Sequence, residues 1–286
     1  MLILLFFKIA GIPLILKGDL SKRSLKEALK NAKYDPVQRV SYFRFYEELN
    51  DFLPEKWKKN SFAYSFTGIT TVKNTIEAIG VPHVEIDLIL VNGKSVGFDY
   101  ILKGEENISV YPVFESFDIS PVVRLRSKPL RKIKFIVDVN LGKLAQKLRL
   151  LGFDTLFKND YHDNDIVADS LKQKRIILTR DIGILKHSAV THGYWLRNDD
   201  PKKQLTEVID RLQLQNNFNP FSRCSACNSY LQTVSKSEIK DKIHADTHHS
   251  YKEFWQCKGC GKIYWEGSHY DRIVKWVENI NMKDNK

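Results

Sequence analysis

The sequence predicts an α/β chain in two folded parts, a small N-terminal α+β unit with a mixed sheet and then a parallel-sheet domain carrying a four-cysteine zinc module. Three observations predict it. From Lys134 to Thr179 short apolar runs alternate with amphipathic stretches, the rhythm of a parallel sheet with right-handed crossovers. Cys224-Ser-Ala-Cys227 and Cys257-Lys-Gly-Cys260 form two CxxC pairs, and two such knuckles close a tetrahedral site. Residues 1–120 hold 15 basic and 15 acidic side chains, so the whole net charge of +11 lies in residues 121–286. With 286 residues, 43% hydrophobic and 28% charged, the composition is that of two or three globular domains, not of a disordered or membrane-embedded chain.

The opening MLILLFFKIAGIPLIL is apolar but interrupted by Lys8 and Pro13. It falls short of the roughly 20 residues of a membrane span and lacks the basic start of a secretory signal. A buried strand, a loose anchor and an artefact of start-site choice all remain open readings. Cysteines confined to two close pairs fit a metal in a reducing compartment, so the expected location is the cytoplasm, with no membrane association.

A charged, helix-compatible stretch runs from Asp19 to Lys33. Val40–Tyr46 and Phe62–Phe66 then read as strands. Thr71–Ile79 has apolar residues at helical spacing and Gly80 as its stop. Glu85–Val91, a turn at Asn92-Gly93 and Asn107–Val113 complete the unit. His83 is expected to be a solvated loop histidine.

In the second part Phe135–Val137 is a strand and Asp138 stands at its end. Leu141, Leu144, Ala145, Leu148 and Leu151 trace one helical face, closed by Gly152. Asp154–Phe157 is a strand, Asp163–Lys172 a helix with acids at its start, and Arg175–Thr179 a strand followed by Arg180-Asp181. Ligands of open parallel sheets bind beyond the carboxyl ends of the strands. Asp138 and Asp181 fall there, and Asp165 starts a helix packed beside that edge. Carboxylates gathered in one crevice repel unless a cation neutralises them, and hard oxygen donors select Mg²⁺ or Mn²⁺. Such ions activate water for phosphodiester cleavage. Singly, Asp163 or Asp165 reads as a helix N-cap, Asp138 or Asp181 as a turn residue, and Asp199 and Asp200 as caps of a helix at Lys202–Leu214.

FIVDVNLGKLAQKLRLLGFDT, RIILTRDIGIL and WLRNDDPKKQL resemble, in order and spacing, the PIN-like RNase domain named after the C-terminal portion of the mut-seven exonuclease. The likeness covers nearly all of 134–270, cysteines included. Val72 to Glu115 resembles ubiquitin-like, β-grasp domains related to sulfur carriers, although no free Gly-Gly end is present and a binding or scaffolding role is expected instead. The resemblance implies metal ligation by Asp138, Asp181 and an acid of Asp163-Asn164-Asp165, with Asp165 at the PIN position and Asp169 a weaker candidate. The fuller PIN pattern has a fourth acid after Asp181, where this chain has Ile182, Gly183 and Ile184.

The expected division is an N-terminal extension (1–35), a β-grasp domain (36–118), a basic linker (119–134), a PIN-like domain (135–218), a zinc ribbon (219–275) and a tail (276–286). Arg131 and Lys132 in the linker, Lys143 and Lys147 on the first helix, Arg180 and His269 are candidate RNA contacts; a solvated face, an ion pair or a structural hydrogen bond is the plainer reading of each. Cys224, Cys227, Cys257 and Cys260 are expected to hold a structural zinc, with a redox dithiol or disulfides as alternatives. Aromatic residues around them either build the ribbon's core or stack on unpaired bases. The function expected is Mg²⁺- or Mn²⁺-dependent RNA hydrolysis. The alternative is a non-catalytic RNA-binding adaptor whose β-grasp domain recruits a protein; a toxin-like or tRNA-directed nuclease is a third, weaker idea.

Overall fold

The computed structural model describes residues 8–9, 12–13, 37–112, 133–267 and 275. They form two compact units: residues 8–9, 12–13, 37–81 and 86–112 belong to the first, residues 82–85, 133–267 and 275 to the second. The Asp19–Lys33 stretch, most of the basic linker with Arg131 and Lys132, and His269 lie outside the described residues.

In the first unit, β1 (Lys8–Ile9) and β2 (Ile12–Pro13) pair antiparallel. β3 (Gln38–Phe45) alternates, burying Phe43 and Phe45 while Tyr42 stays exposed, as a strand with one covered face must. It pairs antiparallel with β4 (Phe62–Thr67). Thr71 caps α1 (Val72–Ile79) by accepting a hydrogen bond from the Asn74 N–H, and Gly80 ends it at φ +134°. β5 (Ile86–Val91) and β6 (Lys94–Ser95) make a hairpin through Asn92-Gly93. Both turn residues have positive φ, the pair of angles a two-residue hairpin demands. β7 (Asn107–Pro112) inserts between β3, to which it is parallel, and β5. The sheet order β4-β3-β7-β5-β6, with Val72, Ile76 and Ile79 packed on Phe43, Ile89 and Ile108, is the expected β-grasp arrangement.

The second unit begins β8 (Lys134–Val137), α2 (Gly142–Leu150), β9 (Asp154–Leu156), α3 (Asp163–Gln173) and β10 (Ile176–Thr179). α4 (Ile182–Lys186), β11 (Gly193–Trp195) and α5 (Pro201–Arg211) follow. The order is β11-β10-β8-β9 and every pairing is parallel. Phe135, Val137 and Leu178 pack under α2 and α5, whereas Ile136 and Ile177 pack under α3 and α4. Strands covered on both faces are continuously apolar, which is why KFIV and IILT show no alternation. At Gly152, φ +94°, an added Cβ would lie 2.2 Å from the Asn219 carbonyl oxygen, so the chain after α2 requires glycine.

The cysteine module adds β12 (Leu231–Val234), α6 (Lys236–Ile239), α7 (Ala245–Ser250), β13 (Phe254–Cys257) and β14 (Ile263–Trp265) in an antiparallel sheet β12-β13-β14. Among the described residues no helix is long and apolar enough to cross a membrane.

Two local expectations need correction. Neither Asp163 nor Asp165 caps α3; the N-cap is His162 and both acids lie in the first turn, where they face the positive helix end. His83 is buried rather than solvated, its Nε2 lying 2.9 Å from the Val190 carbonyl oxygen within the second unit.

Candidate metal centres at the sheet edge and in the cysteine module

β8 connects to β9 on one side and its other neighbour is β10, so the winding reverses between β8 and β10. Open parallel sheets form their crevice at such a reversal. Both strands end there in polar residues. Asp138, 7% exposed, donates its N–H to the Leu178 carbonyl at 3.1 Å, continuing the pairing of the strands. Its Oδ1 accepts from the Val139 N–H at 2.6 Å and its Oδ2 from the buried Thr179 hydroxyl at 2.8 Å. The same hydroxyl oxygen accepts from the Asp181 N–H at 2.8 Å. Thr179 therefore joins the two acids that the strand ends present. Its place as the last residue of an otherwise aliphatic strand is the signal that sequence reasoning missed.

Asp181 is exposed and caps α4, with Oδ1 accepting from the Gly183 N–H at 2.6 Å. A Cβ at position 183 would sit 2.9 Å from that oxygen, so a side chain there would crowd the carboxylate.

The remaining candidates divide. Asp163 and Asp165 are exposed in the first turn of α3. Asp169 accepts from the Tyr161 hydroxyl at 2.9 Å and from Gln173 at 3.3 Å, a structural role. Asp200 caps α5, accepting from the N–H groups of Lys202 and Lys203, and the bond from Lys203 foremost holds its carboxyl below the usual range. Arg180 forms an exposed ion pair with Asp199. Lys143 is exposed on α2 and Lys147 is half-buried.

Among the described residues, only the four cysteines form a group of three or more metal-binding side chains whose ligand atoms all lie within 4.8 Å of one another. Asp138, Asp165 and Asp181 thus do not close into a three-carboxylate cage. Each strand-end carboxylate offers the hard oxygen donors that Mg²⁺ and Mn²⁺ take, ions that bind through one or two carboxylates and otherwise through waters and phosphate oxygens. Thr179→Val removes the hydroxyl that orients Asp138; a roughly 10- to 100-fold loss of Mn²⁺ affinity, measured by titration, is expected, with Thr179→Ser near wild type.

In the cysteine module, Cys224 and Cys260 sulfurs are 3.6 Å apart and those of Cys227 and Cys257 3.3 Å. Four thiolates at about 2.3 Å from a zinc ion stand about 3.8 Å apart, so the cluster needs little movement to hold zinc. Its protons are unevenly shared. Desolvation opposes ionisation of Cys227, but hydrogen bonds from Ser229, Cys257 and Cys260 outweigh it and bring the thiol to about 6. At Cys260 the Lys262 N–H favours the thiolate, yet burial and the three other cysteines together push it up to about 12. Four thiols this close ionise together only around a cation.

The module is tied to the sheet edge. Arg149 of α2, 4% exposed, donates to the carbonyls of Thr155, Ser225 and Ala226 at 2.8, 3.2 and 2.7 Å. Asp154 on β9 pairs with Arg175 at 2.8 Å and Arg223 at 3.5 Å and accepts from Asn228 at 2.8 Å. The Asn228 Oδ1 in turn accepts from the Thr155 N–H at 3.0 Å. Arg149→Leu leaves three carbonyls without their donor and is expected to lower the unfolding free energy by about 2–4 kcal/mol in a urea titration of the zinc-loaded chain.

A family model described as the Mut7-C RNAse domain matches residues 133–277, and one described as Mut7-C ubiquitin matches residues 39–118. No curated protein and no solved structure matches the chain. The two models reproduce the order of a ubiquitin-like unit followed by a parallel-sheet RNase unit with its cysteine cluster, and this chain belongs to the Mut7-C RNAse domain family.

Proposed function

We propose that the chain is a ribonuclease that hydrolyses RNA phosphodiester bonds with Mg²⁺ or Mn²⁺ held at the carboxyl ends of β8 and β10. The observation that carries this is the Asp138–Thr179–Asp181 hydrogen-bonded chain at the winding reversal. Family membership and the segregated positive charge support it.

When bound, the divalent ion neutralises phosphate oxygens and activates water. Asp138 is the fixed ligand, since two donors set its carboxylate plane. Asp181, exposed, would be the second ligand, and Asp165, with Asp163 beside it in the first turn of α3, would complete the acidic set. Arg180 exchanges Asp199 for the scissile phosphate at small cost, because exposed ion pairs contribute little. Lys143 and Lys147, Arg131 and Lys132, and His269 are further RNA contacts in this reading. The four cysteines hold a structural zinc, and the ubiquitin-like unit recruits a protein partner. Cysteine usage supports the cytoplasm as the site of action.

The missing acid among Ile182, Gly183 and Ile184 favours a second reading, a non-catalytic RNA-binding adaptor. End-labelled single-stranded and hairpin RNAs incubated with the zinc-loaded chain and Mg²⁺ or Mn²⁺ separate the two. The nuclease yields fragments that disappear with EDTA at a dose sparing zinc. Salt-sensitive binding without fragments under every condition would establish the adaptor.

A further inference from the structure

The cysteine module contains a cavity of about 360 Å³ that neither the zinc cluster nor the strand-end acids use. Its walls come from the turn after the second knuckle and β14 on one side and from the approach to α7 on the other. Ile263 and Trp265 supply apolar surface; Lys242, His244 and Lys262 supply positive or titratable groups, and Thr247 a hydroxyl. No carboxylate is among the lining side chains, and that of Asp246 stands just outside, 3.3 Å from the His244 ring.

The module's own core explains why this surface is left over. Phe254, Ile239 and Cys224 are fully buried and Cys257 nearly so. Trp265, opposite Phe254 across β13 and β14, remains half-buried, with Tyr251 tilted against it at 6.2 Å. Trp255 has a different neighbour, Phe221 at 6.4 Å. A wall made of a tryptophan and an isoleucine with a cationic rim suits a flat heteroaromatic group that carries a negative charge. The depression is shallow and open to solvent, so a single flat base can lie against Trp265 without entering an enclosed cavity. In paired RNA the base faces are already stacked, so an unpaired base is the form that fits.

We propose that this cavity is a nucleotide pocket that takes one unpaired base of single-stranded RNA, stacked against Trp265, with the adjoining phosphate held by Lys242 and Lys262. The pocket rests on the ribonuclease reading only in taking RNA as the ligand. It gives that reading a preference for single-stranded substrate, set by the zinc module and separate from the cleaving acids.

The test uses the full zinc-loaded chain in an Asp138→Asn background, so that RNA is bound and not cut. Affinity for a labelled single-stranded oligonucleotide and for a blunt RNA duplex is read by fluorescence anisotropy over a salt series. Trp265→Leu is expected to weaken single-strand binding about tenfold and leave duplex binding unchanged. Lys242→Gln with Lys262→Gln, both exposed positions, is expected to reduce the salt slope by about one to two. Because Trp265→Leu can disturb the ribbon, a 5-iodouridine oligonucleotide is also photocrosslinked to the chain with Trp265 intact, and the adduct is expected on a peptide containing Trp265. Unchanged single-strand affinity in a zinc-loaded Trp265→Leu chain, or an adduct confined to other peptides, overturns the pocket. Displacement of the oligonucleotide by an acidic peptide but not by free uridine 5′-monophosphate also overturns it, in favour of a protein ligand. Failure of the ribonuclease reading looks different: Asp138 and Asp138→Asn chains cut equally or not at all, whatever Trp265 does to binding.

Discussion

Asp138→Asn is expected to lower RNA cleavage more than about 100-fold while the chain stays folded and zinc-loaded. Losing a residue that merely orients a metal ligand typically costs 10- to 100-fold, and Asp138 is proposed as a ligand itself. The substitution is nearly isosteric, so its structural cost is small. The asparagine oxygen still accepts from the Val139 N–H, and its NH₂ then faces Thr179. That hydroxyl must switch from donating to accepting while it keeps the bond from the Asp181 N–H; a hydroxyl oxygen has two lone pairs and can do both. Initial rates of fragment formation at saturating Mn²⁺, beside thermal melting of each chain, separate lost chemistry from lost fold.

Removal of zinc is expected to unfold the cysteine module and lower the stability of the whole RNase unit. Among its described residues little else holds the module, Ile239, Phe254, Cys224 and Cys257 being its buried apolar groups, whereas structural zinc sites contribute on the order of 10 kcal/mol or more to folding. The damage spreads because Arg149 and Asp154, which grip residues 223–228, stand on α2 and β9 of the sheet domain. A zinc-specific chelator, or Cys224→Ser, should release one zinc per chain and make the remaining thiols reactive to a thiol reagent. The melting transition should shift down by several degrees or lose cooperativity. Unchanged melting after complete zinc release would mean that the four sulfurs are held by packing alone.

The sheet domain was legible where local pattern decides structure. Continuous apolar runs at Phe135–Val137 and Ile176–Thr179 marked buried parallel strands, and the leucine spacing from Leu141 to Leu151 marked α2 with its Gly152 stop. Strand ends followed, and with them the locations of Asp138 and Asp181. Strand order was not legible, because pairing partners are set by tertiary packing and not by the period of either strand. The reversal between β8 and β10 therefore emerged only in the fold. β11 escaped notice because three residues, Gly193–Trp195, are too few to show a period.

Long-range polar pairing was equally hidden. Nothing in the local pattern of α2 sets Arg149 apart, yet it is buried and bonded to carbonyls 76 and 77 residues away. Asp154 looked like the start of a strand and proved to be the anchor of two arginines and Asn228. The three-acid grouping read from the strand ends and α3 does not close to the spacing of the cysteine cluster. Asp165 sits exposed in the first turn of α3, where solvent screens its charge.

Crystals of the zinc-loaded chain soaked in Mn²⁺ and measured at the manganese absorption edge give the most direct reading of the strand-end site. An anomalous peak within about 2.2 Å of carboxylate oxygens of both Asp138 and Asp181 is predicted, with Thr179 still bonded to Asp138. A fully occupied zinc cluster beside a strand-end crevice that holds no manganese at millimolar concentration would contradict a metal centre there.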